Sequence, residues 1–185
     1  MEFNKKPRPN ISRSRAVLKY GIFAAAIFVF AILQTSFFSR VRLFSATPDI
    51  TLALVMGLGV FDDERTGAAL GIWGGVAVDA LGGAPIWLSP IFYMLAGYLA
   101  GIAVKTLLGP NLPSWAVICF AGCAVRSFLS LLLTAMTSGV SDLSFSMALL
   151  RIVLPEFASS YPLALLICLP AKLLCKLFRK TTDLS

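Results

Sequence analysis

Two opposite charges, Asp79 and Arg126, lie within strongly apolar segments of this 185-residue chain. An ionisable side chain at membrane depth costs roughly 2.5 to 3.5 kcal/mol on insertion scales, so such residues usually face protein and have a partner. The two side chains could form a proton or substrate site, or they could pair as a buried clamp that fixes helix register. We favour the clamp and expect the two charges to lie close enough to interact.

Other catalytic chemistry finds little support in the residue types. The chain contains no histidine, which excludes imidazole base catalysis and histidine-containing metal sites. The segment 57–59 has two glycines but no third glycine at dinucleotide-binding spacing. Cys119 and Cys123 could share a metal ion, but two thiols without further ligands favour packing. We therefore predict that the protein is not an enzyme and holds no cofactor or metal.

Glycines at intervals of four residues are the main candidates for helix contacts. They form one series that ends in a carboxylate and a second, shorter series: Gly67, Gly71, Gly75 and Asp79, then Gly97 and Gly101. A spacing of four places residues on one face of a helix. Small residues on such a face let backbones approach closely in lipid. We expect the first series to carry Asp79 into a helix interface.

Composition places these residues in a membrane protein. The mean hydropathy is +0.85, and 14% of the residues are charged, against about 25% in soluble domains. The net charge of +7 could suggest nucleic acid binding. Ten of the sixteen Lys and Arg residues, however, lie within 5–19 and 172–180, where they are typical of positive-inside topology signals and attract anionic lipid. We predict contact with lipid and none with nucleic acid.

Six apolar segments predict an all-α, polytopic bundle of six membrane helices. They cover residues 17–38, 50–61, 67–81, 86–108, 115–137 and 152–174. The second and third are shorter than the roughly 20 residues needed to cross a bilayer, so they either cross with their flanks or form a re-entrant hairpin; we favour crossing. Six crossings place both basic tails, 1–16 and 179–185, in the cytoplasm, on either side of one membrane domain, 17–178.

The second segment begins with a helix-start signal. Thr47 is the expected N-cap, Pro48 lies in the first turn, and Asp49 is favourable at the positive end of the helix dipole. The acidic turn 62–64 follows this segment. It could contact cytoplasmic partners, although a solvated turn is favoured.

The order of features from residue 48 to residue 101 resembles a known family. It comprises Pro48 and Asp49, an apolar helix, the acidic turn, Gly67 and Gly71, the run GVAVDALGG at 75–83, and a helix with Tyr93, Gly97, Tyr98 and Gly101. This order is similar to that of the rod-shape-determining membrane protein MreD. Asp79 falls where such proteins carry an acidic residue, whereas no family motif aligns with Arg126.

The resemblance implies a non-enzymatic scaffold subunit of the bacterial cell-elongation machinery, in the cytoplasmic (inner) membrane. Such a subunit binds MreC and, through it, MreB filaments, RodA and the cognate transpeptidase, so it helps to organise peptidoglycan synthesis and cell shape. The family layout also resembles the substrate-binding subunits of energy-coupling-factor vitamin transporters, which is the alternative function. Those subunits commonly carry an Ala-x-x-x-Ala surface on their first helix, and here Ala24 is followed by Phe28. A third possibility, a small proton-coupled carrier, depends on Asp79 and Arg126 alone.

Overall fold

Helices make up the regular structure of the residues that can be described. The computed structural model describes residues 13–38, 48–83, 88–108, 112–138 and 154–180. Its helices are α1 (Arg13–Ile32), α2 (Ile50–Phe61), α3 (Glu64–Gly82), α4 (Ser89–Ala103), α5 (Leu112–Ser138) and α6 (Leu154–Lys180), with π-helical extensions of α1 over Leu33–Phe38 and of α4 over Val104–Leu108. The prediction of an all-α fold is confirmed for these residues. Each helix falls on one of the six predicted segments.

The shortest helix, α2, lies at the centre of the bundle. Every residue from Ile50 to Val60 is buried, and α2 contacts each of the other five helices. Its 12 residues span only about 18 Å. A helix that is apolar on all sides is one that has protein around it. The segment that seemed short for a membrane span is therefore the core helix of the molecule.

The glycine series brings α3 and α4 into backbone contact. A Cβ atom added to Gly71 would lie 2.4 Å from the carbonyl oxygen of Tyr93, and one added to Gly97 would lie 2.4 Å from the carbonyl oxygen of Gly67. The same position on Gly75 would lie 2.4 Å from Pro90, and that on Gly101 would lie 2.6 Å from the Cα of Glu64. No side chain fits at these distances. All five glycines therefore lie in an internal helix interface.

Two of the described helices are suited to cross a membrane. The segments Val17–Phe37 and Pro113–Leu132 have the length and hydropathy that crossing requires. Large apolar side chains are also exposed on α1, α3, α4, α5 and α6, which is the surface expected of a protein in lipid. That all six segments cross, and that both termini are cytoplasmic, remain predictions.

Candidate functional site: a buried polar cluster at the start of α2

Asp49 caps the central helix and lies inside the bundle. Its side chain is only 4% exposed. The carboxylate Oδ1 accepts the backbone N–H of Leu52 at 3.2 Å, which is the usual N-cap interaction, and the backbone N–H of Asp49 donates to Oγ of Ser160 on α6 at 3.2 Å. The N-cap is thus Asp49, not Thr47 as predicted; Thr47 lies outside the described residues.

Arg126 pairs with this capping carboxylate. Its Nε–H donates to Oδ2 of Asp49 at 2.9 Å, and its guanidinium carbon lies 5.9 Å from the ring centroid of Phe92, which is cation–π range. The Arg126 side chain is 21% exposed. The prediction that Arg126 pairs with Asp79 is therefore corrected: its partner is Asp49, which the central position of α2 brings to α5.

Two further polar side chains complete the cluster. The hydroxyl of Tyr93 on α4 donates to Oδ1 of Asp49. Gln34, in the π-helical end of α1, accepts the backbone N–H of Thr51 through Oε1 at 2.9 Å. The start of α2 is therefore bonded to α1, α4, α5 and α6. Sequence analysis missed Gln34 and Ser160 as members, although both are polar residues within apolar segments.

Asp79 has a separate role at the junction of α3 and α4. It is 4% exposed, and its Oδ2 accepts the backbone N–H of Ser89 at 3.1 Å. Ser89 is the first residue of α4, where backbone N–H groups have no partner within the helix. Asp79 therefore supplies an acceptor to the start of α4, and links the two helices that the glycines bring together.

A set of ion pairs lies at the opposite end of α2. Lys19 of α1 forms an ion pair with Asp62, and Lys105 beyond α4 forms ion pairs with Asp63 and Glu64. The side chains of Lys19 and Asp62 are only 14% and 17% exposed. The acidic turn, expected to be solvated, is instead partly enclosed, and its three carboxylates form ion pairs with two lysines from two other helices.

The chemistry of the cluster is that of a clamp. The Asp49 carboxylate accepts hydrogen bonds from Arg126, Tyr93 and the backbone of Leu52, so its charge is balanced and its oxygens are engaged. Within the described ranges no group of three or more Cys, Asp or Glu side chains could hold a metal ion, and the side chains of Cys119 and Cys123 are buried.

Comparisons of this chain with family models, with characterised proteins and with solved structures find no match. Over the described residues the protein is all-helical, and its short buried helix is bonded at its start to four other helices. Two of its helices are suited to cross a membrane.

Proposed function

We propose that this chain is a non-enzymatic membrane scaffold subunit of the bacterial cell-elongation complex, similar to MreD. It binds MreC in the cytoplasmic membrane and, through MreC, is connected to MreB, RodA and the cognate transpeptidase. The basis of the proposal is the resemblance of residues 48–101 to that family. As a scaffold, it contributes to cell shape by helping to organise peptidoglycan synthesis.

One structural observation carries the proposal: the resembling stretch brings three helices into close backbone contact. It contains α2, α3 and α4, whose glycines contact one another's backbones. It also contains Asp49 and Tyr93, which are bonded to each other. Features that appear unrelated along the sequence thus serve one purpose, which is to hold three helices in a fixed arrangement. A closely packed bundle whose buried carboxylates Asp49 and Asp79 accept hydrogen bonds supports a binding role rather than turnover.

The same contacts indicate where the partner does not bind. The faces of Gly71 and Gly97 are occupied by the chain itself, so a single helix of MreC must use another surface. Exposed apolar side chains on the outer helices provide it. Binding there depends on van der Waals packing and hydrogen bonds between helices.

Depletion of the protein in its own host, if that host is rod-shaped, tests the function. Rounded cells, restored by the wild-type chain, are expected. A photo-crosslinking residue placed at one exposed position on each outer helix would then locate MreC; suitable positions are Val29, Trp73, Leu99, Phe128 and Leu169. Cells that keep their shape while uptake of one vitamin collapses would instead establish the energy-coupling-factor alternative.

A further inference from the structure

An apolar groove runs between α4 and α5 on the outside of the bundle. These two helices make few contacts with each other, and the groove between them has Met56 of α2 as its floor. Small residues, including Ala96, Ala100 and Gly122, line it, and Leu99 and Val125 stand exposed at its rims. Every lining residue is apolar, so the groove suits an uncharged occupant without hydrogen-bonding groups.

The dimensions of the groove distinguish a lipid chain from a helix. It extends from Phe92 to Ala103 on α4 and from Ile118 to Val125 on α5, which is roughly 10 to 16 Å along the helix axes. Its volume of about 320 Å³ then corresponds to a cross-section of about 20 to 30 Å². A helix 10 to 12 Å in diameter occupies on the order of 80 to 110 Å², so the groove cannot enclose a helix.

A single hydrocarbon chain matches both dimensions. Carbon atoms in contact at about 4.0 to 4.5 Å imply a chain cross-section on the order of 15 Å². Half of a hydrocarbon core about 30 Å thick is about 15 Å, close to the groove length. We propose that this groove binds one acyl chain of a membrane phospholipid. The lipid fills the space between α4 and α5, beside the ring of Phe92 over which the Arg126 guanidinium lies.

The site goes beyond the scaffold function and does not depend on it. The full chain, reconstituted in vesicles of phosphatidylethanolamine and phosphatidylglycerol, is irradiated with a trace of phosphatidylcholine that carries a diazirine on one acyl chain. Adducts are mapped by peptide mass spectrometry. We expect labelling of Leu99 and Val125 to exceed, several-fold, that of Leu166 and Leu169, which are exposed on α6.

A larger side chain in the groove should remove the excess labelling of Leu99 and Val125. Ala121 lines the groove but is itself exposed, so Ala121→Leu should preserve the fold while it displaces the chain; Ala96→Leu narrows the groove more strongly. Ala69→Leu is the matched control, at an exposed position on α3. Two results would overturn the proposal and mean ordinary lipid contact only. In the first, the labelling of Leu99 and Val125 relative to that of Leu166 and Leu169 follows their exposure alone. In the second, the labelling of Leu99 and Val125 is unchanged in Ala121→Leu.

Discussion

Removal of the charge on Asp49 is the sharpest test of the buried cluster. Asp49→Asn keeps an oxygen for the Leu52 N–H but leaves the guanidinium of Arg126, 21% exposed, without its carboxylate. Arg126→Gln leaves the nearly buried carboxylate without its cation. Breaking a buried pair from one side typically costs about 3 to 5 kcal/mol. We expect each single variant to lose about that much free energy of unfolding.

The double variant separates the pair from its surroundings. With both charges removed, neither partner is left uncompensated, so Asp49→Asn with Arg126→Gln should lose about 1 to 3 kcal/mol less than the sum of the single losses. Unfolding is followed by circular dichroism as a denaturing detergent is added to mild micelles. Each variant is compared with the wild type in the same micelles.

A second cycle provides the control. Asp79 bonds to Ser89, whereas Arg126 bonds to Asp49, so Asp79→Asn and Arg126→Gln should be additive within about 0.5 kcal/mol. The reasoning is refuted if this control pair is coupled while the pair of Asp49 and Arg126 is additive. That result would restore the partnership first expected from the sequence.

Four further outcomes can be measured. Tyr93→Phe removes one donor to Asp49 and should lower the free energy of unfolding by about 1 kcal/mol in the same detergent titration. Gly71→Leu should abolish folded yield on size exclusion, because a Cβ added at Gly71 would lie 2.4 Å from the carbonyl oxygen of Tyr93. Gly21→Leu should purify normally, because a Cβ added there would have no atom within 4 Å. Asp79→Ala should cost about 1 kcal/mol through the lost acceptor at the start of α4, again by denaturing-detergent titration, and full retention of stability would contradict that role. A reporter fused after residue 185 should report the cytoplasm, and an external signal would disprove six crossings.

Hydropathy predicted the helices because each is apolar over most of its length. The bounds of α2 agree with prediction, since Asp49 and Asp62 mark its two ends. Hydropathy predicts that α3 begins at Gly67, but the helix begins at Glu64. An acidic residue in the first turn of a helix is favourable, yet it lowers hydropathy in the same way as a loop does. Apolar periodicity alone therefore could not show where the acidic turn ends and α3 begins.

The glycine spacing predicted a helix interface but not which helices meet there. The glycines of α3 pack against α4 of the same chain: Gly67 lies against Gly97, Gly71 against Tyr93 and Gly75 against Pro90. Gly59 of α2 also contacts Gly67 and Gly97. A small-residue series looks the same in sequence whether it packs internally or against another protein. Only the three-dimensional arrangement of helices separates these cases, and it removes these glycines from the candidate partner surface.

Helix length explains why Arg126 has Asp49 as its partner. Phe61, at the end of α2, packs against Trp115 near the start of α5 with ring centroids 5.9 Å apart. From that common level α2 reaches back about 18 Å to Asp49, and α5 reaches about 16 Å from Trp115 to Arg126. Asp49 and Arg126 therefore lie at nearly the same distance from the level of Phe61 and Trp115.

Tyr93 lies at the same level as Asp49 and Arg126 for the same reason. Lys105 pairs with the acidic turn that follows Phe61, and Tyr93 precedes Lys105 by about 18 Å along α4 and its extension. With 12 residues, α2 is the shortest of the described α-helices, and its capping carboxylate ends among the longer ones, only 4% exposed. A carboxylate buried in this way requires a cation and hydrogen-bond donors. The shortness of α2 is thus the physical origin of the buried cluster, and it makes Arg126 and Tyr93 necessary at their positions.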